Sequence, residues 1–409
     1  MAKRKKPSSH RRSGDPRKRA AEESGEHPWG HAETTPELDD QVSAALDSEH
    51  PYSIVMLASS LIASLESADE EAPDYGLPDP AEFVRMFLGS GDAEMVIFGW
   101  VIAQLLPDEG LRTETARALE GISLPDWLAS LPDTEVVGAW QTTDPLRDST
   151  DLVLTLRVPL AASAGASEPS GATESSIPPE EAEVPELSVV TLIDLNAGGA
   201  VKDAFVVPAP LGPVREALTG AGRAGMDSRG LSPADAAAWL TEGIEAGRGL
   251  VPPFESDTWP QVRPLLEWAL RGCPSGGHGW DRRVWTTAEI AELVAEFAAV
   301  PEGAVLADPV DREVLVDALS VLGRETYGDP RLLSAVTLEI GLGHLWATAV
   351  HHESDQLLAL PEALAPFVRW THAQLGISAD DTDEALAAIA HRRAEFSRDV
   401  TMAHAVDRA

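Results

Sequence analysis

Cysteine is almost missing: Cys273 stands alone in 409 residues. A single thiol excludes an internal disulfide framework and fits a reducing, cytoplasmic setting. Long apolar runs are missing too. The longest nearly unbroken one, Met95–Leu106 (MVIFGWVIAQLL), is a dozen residues, whereas crossing a bilayer takes roughly 20. It is expected to form a buried core helix, and no membrane partner is expected. The first apolar cluster begins near Ile54, so no secretion signal is read at the start of the chain. Local catalytic motifs are also scarce. There is no G-x-S-x-G nucleophile elbow and no Walker lysine motif, which weighs against an enzyme without excluding one assembled from distant residues.

Positive charge is sparse except in one place. Net charge is −36, yet residues 1–20 hold nine Lys/Arg against one acid, so the other 389 residues carry −44. An acidic body of this kind repels nucleic acid and anionic membrane. The basic tail is a different object, with Lys3, Arg4, Lys5, Lys6, Arg11, Arg12, Arg17, Lys18 and Arg19. These side chains can neutralise phosphates in a salt-dependent way. The tail holds no aromatic residue among them for base stacking, so such binding would be nonspecific. The competing reading is a solubilising arm drawn to the acidic body. Residues 1–35 contain too little aliphatic surface to offset ordering entropy and are expected to be disordered.

What is present is ample core-forming sequence, 44% hydrophobic, enough for two to four compact units. Residues 36–132 read as a helical domain. Ile54, Leu57, Ala58, Leu61, Ile62 and Leu65 recur at helical spacing. The period then changes. TEVVGAWQTTD (134–144), STDLVLTLRV (149–158), ELSVVTLIDLN and AVKDAFVVP read as four strands. Between the pairs, residues 161–186 are a low-complexity Ala/Ser/Pro/Glu insertion, expected to be disordered. The expected architecture is α+β and predominantly helical. It has a small four-stranded antiparallel sheet, covered on one face by helices and flanked by N- and C-terminal helical modules. Residues 133–275 form the sheet unit, 276–285 a linker, and 286–409 the C-terminal module. In that module helices are expected near 286–299, 309–324, 331–350, 360–376 and 380–396, with a kink or break at Pro366. Ser232 with Asp235, and Thr286 with Glu289, are expected helix starts.

The hairpin TLIDLNAGGAVKDAFVV (191–207) is the most patterned short stretch. A Gly198-Gly199 loop would set Asp194 against Asp203, which like-charge repulsion disfavours unless a metal or shared proton intervenes. An Ala197-Gly198 loop sets Asp194 against Val201. A three-residue loop, 197–199, sets Asp194 opposite Lys202, Leu192 on Ala204 and Val190 on Val206. The last is favoured, because it pairs opposite charges.

The remaining motifs are weighed as decoys. GAGRAG (220–225) follows a helix, not a strand, so it reads as a helix exit rather than a dinucleotide fingerprint. His351 and His352 in VHHESD diverge around a helix and read as a solvated helix end. Cys273 and His278 are two ligands where zinc wants at least three. In PPFESDTWPQVRPLLEWAL (252–270), Asp257 or Ser256 is expected to cap a helix pinned by Phe254 and Trp259. The sharper alternative is that Glu255 and Asp257 line a polar cleft beside the sheet. Asp203, Glu255 and Asp257 are therefore the weak catalytic candidates. No cofactor site and no metal site are expected.

RRSGDPRKRA, YSIVMLASSLIASL, IDLNAGGAVKDAFVVPAPL, PPFESDTWPQVRPLLEW and LLSAVTLEIGLGHLW with LPEALAPFVRWTHAQLGI together resemble a group of uncharacterised proteins from high-GC actinobacteria. The resemblance implies a cytoplasmic protein and brings no catalytic residues with it. The long 161–186 insertion departs from that pattern. These readings together favour a non-catalytic cytoplasmic interaction or regulatory protein with a protein partner. The alternatives are a nucleic-acid-associated accessory factor acting through the tail, and an enzyme with an acidic cleft.

Overall fold

The computed structural model describes residues 37–48, 50–71, 78–159, 185–220, 225–254, 256–325, 328–348 and 352–407. The basic tail (Lys3 to Arg19), residues 161–184 of the insertion, Glu255 and His351 lie outside the described residues; the insertion's expected last residue, Glu186, already belongs to a strand.

The front helices are α1 (Leu38–Asp47), α2 (Pro51–Glu71), α3 (Pro80–Leu88), α4 (Ala93–Leu105) and α5 (Glu109–Ala118). Aspartates start the last three. Asp79 accepts from the Glu82 N–H, Asp92 from those of Glu94 and Met95, and Asp108 from that of Leu111. Each cap satisfies amides that a first helical turn leaves open, and each contributes about 1 kcal/mol. α4 is buried from Met95 to Leu105, as its uniformly apolar sequence predicts. A short α6 (Asp126–Ala129) leads into the sheet.

β1 (Glu135–Thr143), β2 (Ser149–Arg157), β3 (Glu186–Asp194) and β4 (Ala200–Val207) form an antiparallel meander. The α+β class stands, but the sheet has five strands rather than four, ordered β4-β3-β2-β1-β5. β5 (Asp227–Leu231) pairs with β1 from Ala139↔Leu231 to Thr143↔Asp227. Its sequence, DSRGL, has no β-branched residue. Pairing with the open edge of β1 imposes the strand, not local preference.

Helices cover both faces of the sheet, not one. On one face α8 (Pro233–Arg248) and α9 (Trp259–Arg271) pack over Leu154, Val189 and Val201. On the other, α7 (Leu211–Gly220) sets Val214 against Val153 and Val190. The first cluster runs unbroken from Phe98 of α4 to Leu265 of α9, so residues from 36–132 and from 133–275 share one core.

The expected starts of α8 and of α10 (Thr287–Ala298) hold. Ser232 accepts from the Asp235 N–H at 3.0 Å, and Thr286 with Glu289 forms a reciprocal capping box. Residues 276–285 carry no helix or strand and lie along α8. The His278 N–H donates to Asp235 Oδ1 (2.8 Å) and the Trp280 N–H to Glu242 Oε2 (3.0 Å).

A second core gathers α10, α11 (Pro309–Glu325), α12 (Ala335–Thr348), α13 (Ser354–Leu375) and α14 (Ala379–Asp407) around Phe297, Leu319, Leu342, Phe367 and Phe396. Of the kink or break expected at Pro366, no break occurs: α13 runs for 22 residues through Pro361 and Pro366. An internal proline costs about 3 kcal/mol. Packing just beyond it outweighs that cost, with the buried Phe367 ring edge-on to Phe297 at 5.4 Å.

Candidate functional site

The β3–β4 end carries most of the residues that the sequence singled out. The strands pair Val189↔Val206, Val190↔Phe205, Thr191↔Ala204 and Leu192↔Asp203, then Ile193↔Val201 and Asp194↔Ala200. Asp194 therefore does not stand opposite Lys202, and the favoured register is not adopted. The body follows the register implied by the Ala197-Gly198 loop, and a bulge at Lys202 shifts the last two pairs. Burial decides this. The observed register puts Val201, Ala204 and Val206 in the core with Val189. A one-residue slip would put Asp203 and Phe205 there instead. The bulge still lets Lys202 Nζ reach Asp194 Oδ2 at 3.2 Å, so the expected ion pair forms by a different route. The same ammonium lies 5.4 Å from the Phe254 ring centroid.

Asp194 shapes the turn as well. Its Oδ1 accepts from the Asn196 N–H (3.0 Å) and the Ala197 N–H (3.1 Å). Asp144 does the same for the β1–β2 turn, taking the N–H groups of Leu146, Asp148 and Ser149.

Asp203 is occupied. Its Oδ1 accepts from the Ser256 hydroxyl (2.7 Å), the Thr258 hydroxyl and the Ala204 N–H (2.8 Å). Burial pushes the carboxyl up. The Thr258 and Ser256 hydroxyls, with the Ala204 and Trp259 backbone amides, outweigh burial and hold it below its usual range. Such a carboxylate stays charged, with Oδ1 engaged and its proton affinity lowered, so it is a poor general base. The N-cap of α9 is Thr258, without a side-chain cap bond, so neither Ser256 nor Asp257 holds that position; Ser256 Oγ, two residues earlier, accepts from the Trp259 N–H (3.0 Å) and the Thr258 N–H (3.3 Å). Asp257 is exposed, and no hydrogen bond joins its carboxylate to Asp203. Of the three acids singled out, the described pair is thus a clamp and a surface residue.

The other motifs separate in the same way. Gly220 ends α7 and Gly225 (φ +84°) turns the chain toward β5, with 221–224 between them outside the described residues. His352 is not solvated as expected. Its Nε2 lies 2.8 Å from Asp317 Oδ2, and its side chain is nearly enclosed. Cys273 is half-buried with its thiol pushed up to about 11 by burial, and it donates weakly to the Ala269 carbonyl at 3.6 Å. Such a thiol is inert at neutral pH. Among the described residues, no three His, Cys, Asp or Glu side chains gather as a metal-ligand set, and no helix is long and apolar enough to cross a membrane.

One group escaped the sequence reading. Asp148, in the β1–β2 turn, accepts at Oδ1 from Ser334 Oγ (2.6 Å) and Asn196 Nδ2 (2.7 Å). Ser334 in turn accepts from the Thr337 N–H (3.0 Å) at the start of α12. This network ties both hairpin turns to the C-terminal module. Burial raises the Asp148 carboxyl; the Ser334 and Asn196 bonds lower it in part, and the charges of Asp144 and Asp194 add to the rise. The segment DPLRD (144–148) carries the proline and aspartates of a turn between two strands, but no local signal links position 148 to position 334.

Two sizeable clefts open on the described surface. One, of about 530 Å³, lies by β5 and is lined by Arg229, Asp235, Trp239 and His278. Several of its polar groups are already engaged: Arg229 Nε donates to Gln141 Oε1 (3.0 Å), and Gln141 Nε2 donates to Thr143 Oγ1 (2.7 Å). The other, of about 620 Å³, lies between α4, α5 and the end of α9.

No family profile matches the chain, and neither characterised proteins nor solved structures yield a match.

Proposed function

We propose that the chain is a non-catalytic interaction or regulatory protein that acts in the cytoplasm. The observation that carries this reading is the state of Asp203. The acid best placed to serve an acidic site commits one carboxylate oxygen, Oδ1, to the Ser256 and Thr258 hydroxyls and the Ala204 N–H. Asp144, Asp148 and Asp194 are committed in the same way, to turns and to the seam between the two cores. Acids in these roles hold backbone in place, which is the duty of a scaffold. The test is turnover by the purified protein on a broad panel of hydrolysable and phosphorylated substrates. The reading expects no turnover above background. Turnover that is abolished by Asp203→Asn, or by Glu255→Gln or Asp257→Asn, contradicts it.

A second reading rests on the charge contrast between the first 20 residues, net +8, and the body. It makes the protein a nucleic-acid-associated factor held nonspecifically through Lys3, Arg4, Lys5, Lys6, Arg11, Arg12, Arg17, Lys18 and Arg19. Retention on RNA and DNA should then fall steeply with salt, by roughly 0.9 in log K per log salt for each duplex phosphate neutralised. Unchanged retention after removal of residues 3–19 rules it out.

A further inference from the structure

The larger cleft is built differently from the rest of the surface. Trp100 and Gln104 stand four residues apart on α4, so their side chains share one face of that helix. Both line the cleft and both are almost enclosed, at 5% and 7% exposure. Among the described residues, neither the Gln104 amide nor the Trp100 indole N–H has a hydrogen-bond partner, and neither ranks among the sealed polar atoms. Their residual accessible surface therefore faces the cleft. A core that needed only to be filled would carry apolar side chains at both positions.

Two guanidinium groups stand beside them. Arg112 Nη1 donates to the Leu106 carbonyl (2.7 Å), and its Nη2 donates to Glu109 Oε2 (2.6 Å). Arg271 Nη2 donates to the carbonyls of Gln104 (3.2 Å) and Leu105 (2.6 Å). These bonds close the C-terminal end of α4, yet each guanidinium has five N–H donors, so donors remain on both. Burial first, and then the neighbouring Arg112 charge, press the Arg271 guanidinium below its usual range, opposed by Glu267. Glu267 is itself bonded to Arg248 (2.9 Å), and the one carboxylate lining the cleft, Glu109, sits at its exposed rim. In a chain of net charge −36, a concavity lined by two arginines and one acid is a local inversion of sign.

The walls complete the chemistry. Trp268, Leu156 and Val136 supply apolar surface, and the volume of about 620 Å³ falls in the range of small-molecule sites. The positive lining is all donor: the Arg112 and Arg271 guanidiniums stand with the Trp100 N–H and the Gln104 NH2, against the acceptors of rim Glu109, Gln104 Oε1 and the Thr113 and Thr134 hydroxyls. A ligand with a compact acceptor head matches the guanidiniums, and the walls ask for an apolar body. From the unpartnered Gln104 and Trp100 groups, the two guanidiniums and the apolar walls, we infer that this cleft binds a small organic anion: a carboxylate or phosphate ester on a planar apolar frame. The anion head lies against Arg112 and Arg271, the Gln104 amide and Trp100 N–H take further acceptors, and the frame lies on Trp268. This goes beyond the proposed function and holds whether or not that reading survives.

The test is calorimetric titration of the full-length protein with four probes: 2-naphthoate, 1-naphthyl phosphate, neutral 2-naphthamide and inorganic phosphate. At least one naphthyl anion should bind with 1:1 stoichiometry, at least tenfold tighter than 2-naphthamide and tenfold tighter than inorganic phosphate. Which of the two anions wins identifies the head group. Gln104→Leu loses no bond within the protein, so it should melt like the parent while weakening the anion about tenfold. Ala116→Trp, on the exposed rim, should fill the mouth and abolish binding without touching the core. The inference is overturned if neither anion binds at millimolar concentration. It is equally overturned if the neutral amide or bare phosphate binds as tightly as the anions, or if both variants, folded, bind like the parent.

Discussion

Asp148 and Ser334, 186 positions apart, are joined by a 2.6 Å hydrogen bond that pins a sheet turn to the start of an α12 helix in the other core. The same carboxylate oxygen accepts from Asn196, so one acceptor holds three segments. Its carboxyl is raised by burial and by its acidic neighbours; the neutral form is the one the folded state favours. The stabilising share of that shift is complete below the unfolded value of 3.8 and is lost as pH rises through the raised folded value. At neutral pH the charge is thus carried at a cost. Asp148→Asn keeps an acceptor oxygen and removes the charge, so its stability at pH 7 should match or exceed that of the parent. Asp148→Ala should lose about 1–3 kcal/mol by leaving Ser334 and Asn196 unpaired. Urea unfolding of the two variants separates acceptor from charge.

Ser59 of α2 performs a smaller version of the same task. Fully buried, it donates to the Gln261 carbonyl (2.5 Å) and accepts from the Leu265 N–H (3.1 Å). Those two groups would bond to each other in a regular helix, and Pro264 lies between them in α9. The hydroxyl bridges the ladder where proline disturbs it. Ser59→Ala should destabilise by about 1–3 kcal/mol, read as a lowered midpoint in urea with an unchanged slope. Ser59→Thr should retain more stability than Ser59→Ala if the hydroxyl is what matters.

Gly199 meets two constraints at once. Its φ is +80°, and a Cβ there would lie 2.7 Å from the Trp280 ring; a Cβ on Gly243 would lie 2.9 Å from the Gly199 carbonyl oxygen. α8, the hairpin tip and the 276–285 segment can close on one another only because both positions lack a side chain. Gly199→Ala should cost upwards of 1 kcal/mol from the backbone alone, with the clash added. Its Trp emission should shift red as Trp280 is displaced.

His372 sets a lower pH limit on the C-terminal module. It is buried, its Nδ1 lies 3.0 Å from Thr382 Oγ1, and burial lowers its pKa against the opposing Asp381 charge and the Leu333 backbone. The neutral ring is the folded form. The stability this brings is present above the unfolded value near 6.5 and is lost as pH falls through the lowered folded value. The melting temperature should therefore drop between pH 7.5 and pH 5.5, and His372→Gln should show a smaller drop over the same interval.

Much of the fold was legible because its signals are local. Asp92, Ser232 and Thr286 precede helices at capping distance, and the run from Met95 to Leu105 has no polar face to expose. What stayed hidden depends on partners distant in sequence. DSRGL becomes β5 only beside β1, α13 survives Pro366 only against Phe297, and α7 covers a second sheet face that four alternating strands do not announce. The candidate site followed the same division. The Asp194–Lys202 attraction was readable from charge, but its register was set by which valines the helices bury. Asp148, Gln104 and Arg271 had no local pattern at all, since their meaning lies in groups brought together by the core.

The central claim is that acids in this chain hold backbone rather than substrate, and Asp203 tests it most directly. Urea unfolding of Asp203→Ala should show a loss of about 1 kcal/mol, modest because the carboxylate is partly screened by solvent. It should also loosen the start of α9, seen as faster amide exchange at Thr258 and Trp259. Unchanged or increased stability, with exchange at those amides unaltered, is the behaviour of a residue kept for function at the expense of the fold, and that result would contradict the account.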